Sequence, residues 1–135
     1  MKLFRTDQIK QIDEFTIEEE PIASVDLMER AAGQLLKWCL NKIERSSRIF
    51  IFVGPGNNGG DGLALARLLE ANRFEPQVYY IHFTEKTSED WKINLMRLKS
   101  ETNVPVNYID GSDQFPVISS TDVIIDAIFG SGLTR

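Results

Sequence analysis

Apolar residues recur along this chain with two different periods, and each change of period marks an element. From Thr6 to about Ile17 the spacing is helical: Thr6 is placed to cap, Asp7 suits the first turn, and Ile9, Ile12 and Phe15 share a face. Glu18-Glu19-Glu20 reads as a solvated run, and Pro21 breaks the pattern. A longer helix is expected from Ser24, taken as its N-cap, with Asp26 at the positive end. Leu27, Ala31, Leu35 and Cys39 form one row, and Met28, Ala32, Leu36 and Leu40 a second, so a broad stripe is buried. The period then shortens. Arg48–Val53 is a continuous β-favouring run, as in a strand covered on both faces. A loop over Gly54–Gly62 precedes a helix at Leu63–Glu70. A strand at Gln77–Phe83, a helix at Ser88–Ser100, a short strand at Val104–Ile109 and an apolar strand at Asp122–Phe129 follow. About four strands alternating with helices predict an α/β fold with a mostly parallel sheet.

Composition narrows the class. The 135 residues suit one domain, and 42% hydrophobic with 26% charged residues is ordinary for a globular chain. A net charge of -5 without a basic cluster argues against nucleic acid as a partner. An anionic ligand must then be met locally, by backbone N–H groups or a cation. The longest apolar run, Ile49–Val53, is far short of the roughly 20 residues of a membrane helix. Met1–Lys10 has neither an apolar core nor a small-residue cleavage site, so no secretory signal is expected. The single cysteine, Cys39, can form no internal disulfide and points to a reducing, cytoplasmic setting. On its apolar stripe it reads as a core residue.

Chemistry concentrates in two blocks. Gly54-Pro55-Gly56-Asn57-Asn58-Gly59-Gly60-Asp61-Gly62 has five glycines in nine residues, placed between a buried strand and a helix. There a helix N-terminus offers N–H groups to phosphate, and glycines allow close approach and positive φ. Asn57 and Asn58 add amides, and Asp61 adds a carboxylate at the mouth. Gly54, Gly56 and Gly59 fit G-x-G-x-x-G, but the second strand leads into His82-Phe83-Thr84 without the acidic residue of NAD-dependent dehydrogenases. No Gly-Lys-Ser/Thr follows, which excludes a Walker A loop. In the second block Asp126 interrupts an apolar strand before Gly130-Ser131-Gly132. A buried carboxylate must bind a cation or accept hydrogen bonds. Neighbouring strand tips would bring Asn58 and Asp126 together as oxygen donors for a hard cation. His82, the only histidine, reads as structural or solvent-facing, and Trp38 and Trp91 as packing residues.

These blocks, together with Leu27-Met28-Glu29-Arg30-Ala31 and the run Asp122 to Leu133, resemble the NAD(P)H-hydrate epimerase family, or YjeF N-terminal domain. The resemblance covers the whole chain in order. It implies a Rossmann-like α/β/α sandwich, a single domain over residues 1–135 lacking its C-terminal part, and epimerisation of the R and S forms of hydrated NADH and NADPH with a bound potassium ion. Carried over by position, Asn57, Asn58, Gly59, Gly60 and Asp61 would contact the substrate. Gly130, Ser131, Gly132, Leu133, Thr134 and Arg135 would wrap it from the other side, and Asn58 and Asp126 would hold potassium. The family's aspartate at the reacting ring and a further potassium ligand are expected beyond Arg135, so this fragment alone is open to being inactive. Many bacterial members carry a fused ADP- or ATP-dependent dehydratase, and a homodimer is open. The competing readings are a non-catalytic nucleotide-binding or protein-interaction module using the same pocket, and a phosphotransferase, against which Leu63 stands where a small hydroxyl residue would be needed.

Overall fold

The computed structural model describes residues 2–5 and 23–129. The helix expected over residues 6–17 lies outside them. Strand β1 spans Lys2–Arg5, helix α1 Ser24–Lys42, β2 Ile49–Val53, α2 Asn57–Ala71, β3 Pro76–Ile81, α3 Glu89–Glu101, β4 Val106–Ile109 and β5 Val123–Ala127, with one 3-10 turn at Ser112–Gln114. The five strands form one sheet in the order β1-β5-β2-β3-β4, and every pairing is parallel. The α/β reading therefore holds, with one more strand than expected. β1 is four residues of mixed character, too short to show alternation. It is recruited by pairing Lys2 to Val123 through Arg5 to Asp126.

Strand ends shift by one or two residues from expectation, and two helix starts differ as well. Helix α1 begins at Ser24 itself. Its N-cap is Ala23, which lacks a side-chain cap, and the Ala23 carbonyl accepts from the N–H groups of Asp26 and Leu27 at 3.0 Å. The larger correction is at α2, which starts at Asn57, so two thirds of the expected glycine loop is helix. The glycines that depress helix propensity are tolerated because packing against neighbouring elements favours the helix. By contrast α3 starts where a serine signals it: Ser88 Oγ accepts from the Trp91 N–H at 3.2 Å.

Alternation along the strands splits the core in two. Ile49, Ile51, Val53, Val78, Tyr80, Val123, Ile125 and Ala127 face a layer made by all three described helices, packed on Leu35, Cys39, Leu63, Leu65, Leu69, Trp91 and Leu98. α2 lies in the middle of that layer, against both α1 and α3. Burial pushes the Cys39 thiol up to about 12, as a core residue requires. Ala31, Leu35 and Cys39 of the first row of the α1 stripe sink in, whereas Leu40, at the end of the second, is 41% exposed. On the opposite face Phe50, Phe52 and Ile109 pack with Tyr79, Ile81, Ile118 and Ile124, and Phe115 stacks on Phe52 at 5.8 Å between centroids.

At the amino-terminal end of the sheet Asp122 is 2% exposed and held by a two-pronged pair: Arg48 Nε donates to Oδ1 at 2.9 Å and Nη2 to Oδ2 at 2.7 Å. The Ser119 N–H adds 2.7 Å to Oδ2. The arginine, then that amide, lower the carboxyl from 3.8 to about 2. A depressed carboxylate contributes stability above its unfolded value, and the contribution is lost as pH falls through the folded value. Urea midpoints should therefore drop between about pH 4 and about pH 2. In Asp122→Asn that part of the drop should vanish, with lower stability already at pH 7; an unchanged acid slope would remove this role.

Candidate functional site

The site forms where sheet order departs from chain order. β2 is followed by β3 on one side, but β5 occupies its other side. In open parallel sheets ligands settle at the carboxyl ends of strands beside such a switch. β2 ends at Val53, and the Gly54 N–H carries the ladder one step further by donating to the Ala127 carbonyl at 3.1 Å. The chain then turns through Pro55 and Gly56 into α2. The first helical bond runs from Gly60 N–H to the Gly56 carbonyl at 3.1 Å. The helix thus supplies no carbonyl for the N–H groups of its first residues, and its first turn carries no acidic side chain. This end has the partial positive charge that suits an anion.

Among the described residues no glycine has a positive φ, so of the two freedoms that glycine allows this block does not use that one. The glycines serve close approach instead. A Cβ on Gly54 would collide with the Ile128 carbonyl, and one on Gly59 with the Gly54 carbonyl. On Gly62 it would lie 2.8 Å from the Ala127 Cβ and 2.9 Å from the Val53 Cγ1. The N-terminal turns of α2 therefore lie directly on the tips of β2 and β5.

The structure brings the two sequence blocks together. Asn58 is 7% exposed, and its Nδ2 donates to the Phe129 carbonyl at 2.8 Å. Asp126, half-buried, stands opposite Phe52 in the ladder, and its Oδ1 accepts the Ile128 N–H at 3.0 Å. Asn58 and Asp126 are thus at the same, carboxyl end of the sheet. Asn57 is exposed at the first position of α2, and Gly59 and Gly60 are buried behind it. Asp61 departs from expectation: at 1% exposure it lies inside the fold and not at an open mouth. Gly130 to Arg135 lie outside the described residues.

One residue assigned to packing belongs to the site as well. Trp91 Nε1 donates to the Gly54 carbonyl at 2.8 Å. Nothing in its helical spacing separates this from ordinary burial. His82 sits at the exit of β3, 2.9 Å from Glu85 and 3.4 Å from Asp110, consistent with a structural role. No cluster of three His, Cys, Asp or Glu side chains suited to a metal occurs among the described residues. The donor set at the crevice is instead amide, carbonyl and carboxylate oxygen, the chemistry that suits a hard cation. A cavity of about 420 Å³ beside Glu70, Phe74, Pro76 and Asn103 lies at the amino-terminal end of β3, away from these groups.

The profile of the family described as YjeF-related protein N-terminus matches residues 24–135. The chain belongs to that family. This YjeF N-terminal chain is 37% identical over 130 residues to the NAD(P)H-hydrate epimerase of Anaerococcus prevotii, covering 94% of the chain and 59% of that protein. It is 36% identical over 138 residues to the bifunctional NAD(P)H-hydrate repair enzyme Nnr of Dictyoglomus turgidum, covering all of the chain and 26% of that enzyme. Among solved structures it superposes on yeast ynu0, YNL200c, with a TM-score of 0.71 at 27% identity, over 100% of this chain and 59% of the other. The YjeF chain thus spans little more than half the length of the epimerases it matches. No helix among its described residues is long and apolar enough to cross a membrane.

Proposed function

We infer that the protein carrying this chain interconverts the R and S forms of hydrated NADH and NADPH, in the reducing interior of the cell. The observation that carries this reading is the Asn58–Phe129 bond, which joins the Gly-Asn-Asn-Gly-Gly-Asp block to the Asp-Ala-Ile-Phe block at the switch between β2 and β5. A dinucleotide needs both: a helix N-terminus for its pyrophosphate and a second strand tip for its other half. The names of the relatives supply the damaged cofactor as the ligand.

In this reading the first turn of α2 takes the pyrophosphate. Asn57 to Gly60 contact the substrate from one side, and Gly130 to Arg135 from the other. Asn58 and Asp126 would hold potassium, which when bound offsets ligand charge and fixes the two loops. The reacting ring bears a hydroxyl on a carbon next to its nitrogen. Protonated, the hydroxyl leaves as water while the nitrogen lone pair forms an iminium. Water then returns to either face and gives up a proton, and no hydride leaves. One relative's bifunctional name supports a dehydratase acting downstream, fused or separate.

The test is turnover of purified R-hydrated NADH by the full-length protein, followed by chiral separation. S epimer is expected to accumulate in potassium buffer, to fall when potassium is replaced by a bulky organic cation, and to recover on its return. No conversion in potassium would overturn the reading.

A further inference from the structure

We propose that Trp91 is a positioning residue for the crevice: its indole N–H keeps the Gly54 carbonyl turned into the protein, away from the ligand's anionic part. This rests on the reading that the crevice takes a dinucleotide.

The Gly54–Pro55 peptide has one polar group. Its nitrogen is proline's and carries no hydrogen, so only the Gly54 carbonyl can interact. That peptide lies at the tip of β2, next to the first turn of α2. A carbonyl oxygen pointing at a bound pyrophosphate would repel it and cancel part of the attraction from the helix N–H groups. In the structure the carbonyl points the other way and is met by Trp91 Nε1 at 2.8 Å in a buried bond.

Three elements cooperate in this. β2 supplies the acceptor, fixed from its other side by the bond from the Gly54 N–H to Ala127. α2 supplies room, because Gly59 has no Cβ where the carbonyl packs, and a Cβ there would also lie 3.0 Å from the indole nitrogen. α3 supplies the donor. Trp91 is 4% exposed, its backbone N–H donates to Ser88 Oγ, and its ring packs on Tyr80 with 4.9 Å between centroids. A phenylalanine would fill most of the same space. It would leave a buried carbonyl without a donor, and such a group turns outward to water. Here outward means toward the ligand.

The experiment uses the full-length protein with Trp91→Phe, and with Trp91 replaced by its benzothiophene isostere, which keeps the ring shape and removes only the N–H. ADP-ribose, which has the pyrophosphate but no nicotinamide, is the binding probe. Its Kd should rise roughly tenfold in both variants, the loss expected for one hydrogen bond. The KM for hydrated NADH should rise similarly, with kcat within about twofold of the parent. A purely structural role would lower the melting temperature and leave Kd and KM of the folded protein unchanged. Native affinity in the isostere variant, beside a parent that binds ADP-ribose, overturns the role of Trp91 alone. A parent that binds no ADP-ribose overturns the dinucleotide reading, and this proposal with it.

Discussion

Gly59→Ala should destabilise the protein by about 3 kcal/mol, a large share of the roughly 5–15 kcal/mol that holds a typical domain folded. The expectation is counterintuitive for a helical glycine, where alanine ordinarily gains about 1 kcal/mol. Here the new methyl would overlap the Gly54 carbonyl and approach the Trp91 indole nitrogen to 3.0 Å. Neither can retreat cheaply. The carbonyl directly follows a peptide whose N–H, that of Gly54, is bonded to Ala127 of β5, and the indole is wedged against Tyr80. Relief requires the start of α2 to lift off the sheet. Gly33→Ala is the internal control. It also sits inside a helix, but a Cβ there meets nothing within 4 Å, so it should stabilise by about 1 kcal/mol. Urea unfolding of the pair should give opposite signs. A neutral Gly59→Ala would mean that the close packing of α2 on the β2 tip is not needed.

The second large effect is expected on activity. Asp126→Asn preserves shape and still offers Oδ1 to the Ile128 N–H, so the strand tip should keep its conformation. What disappears is a negative charge at the mouth of the crevice. Turnover in ordinary potassium should fall by roughly 100-fold, at the upper end of what lost partners cost metal sites. Raising potassium should recover much of it if the carboxylate serves the ion. If turnover stays low at saturating potassium, the carboxyl group itself moves the proton, and the assignment of Asp126 as a cation ligand is wrong. A variant with full activity throughout would remove Asp126 from the site altogether.

Much of this architecture can be read from residues alone, for identifiable reasons. β2 and β5 are apolar runs whose burial leaves little choice of conformation, and α3 announces itself with a serine whose hydroxyl does cap the helix. What escapes is what depends on partners distant in the chain. The start of α2 looks like loop because five nearby glycines oppose a helix, and only the tips of β2 and β5 beneath explain why a helix forms there. β1 is legible only as a complement to β5. Asn58 and Asp126 could be nominated as a pair from the rule about strand tips, but the Phe129 carbonyl that links their segments is backbone and leaves no mark on composition. Asp61 misleads in the other direction: a charge in a glycine-rich stretch suggests a mouth, and the helix turns it inward.

The place of β5 in the sheet has a consequence for how the chain reaches its native state. It is the last of the described strands to be synthesised, yet it slots between the first two. Until residues 123–127 leave the ribosome, β1 has no neighbour and β2 keeps one bare edge of five apolar residues. Such an edge invites pairing with other chains. A nascent chain stalled before Val123 should therefore be more prone to association than one released just after Ala127. Chaperone demand should concentrate in that window of synthesis.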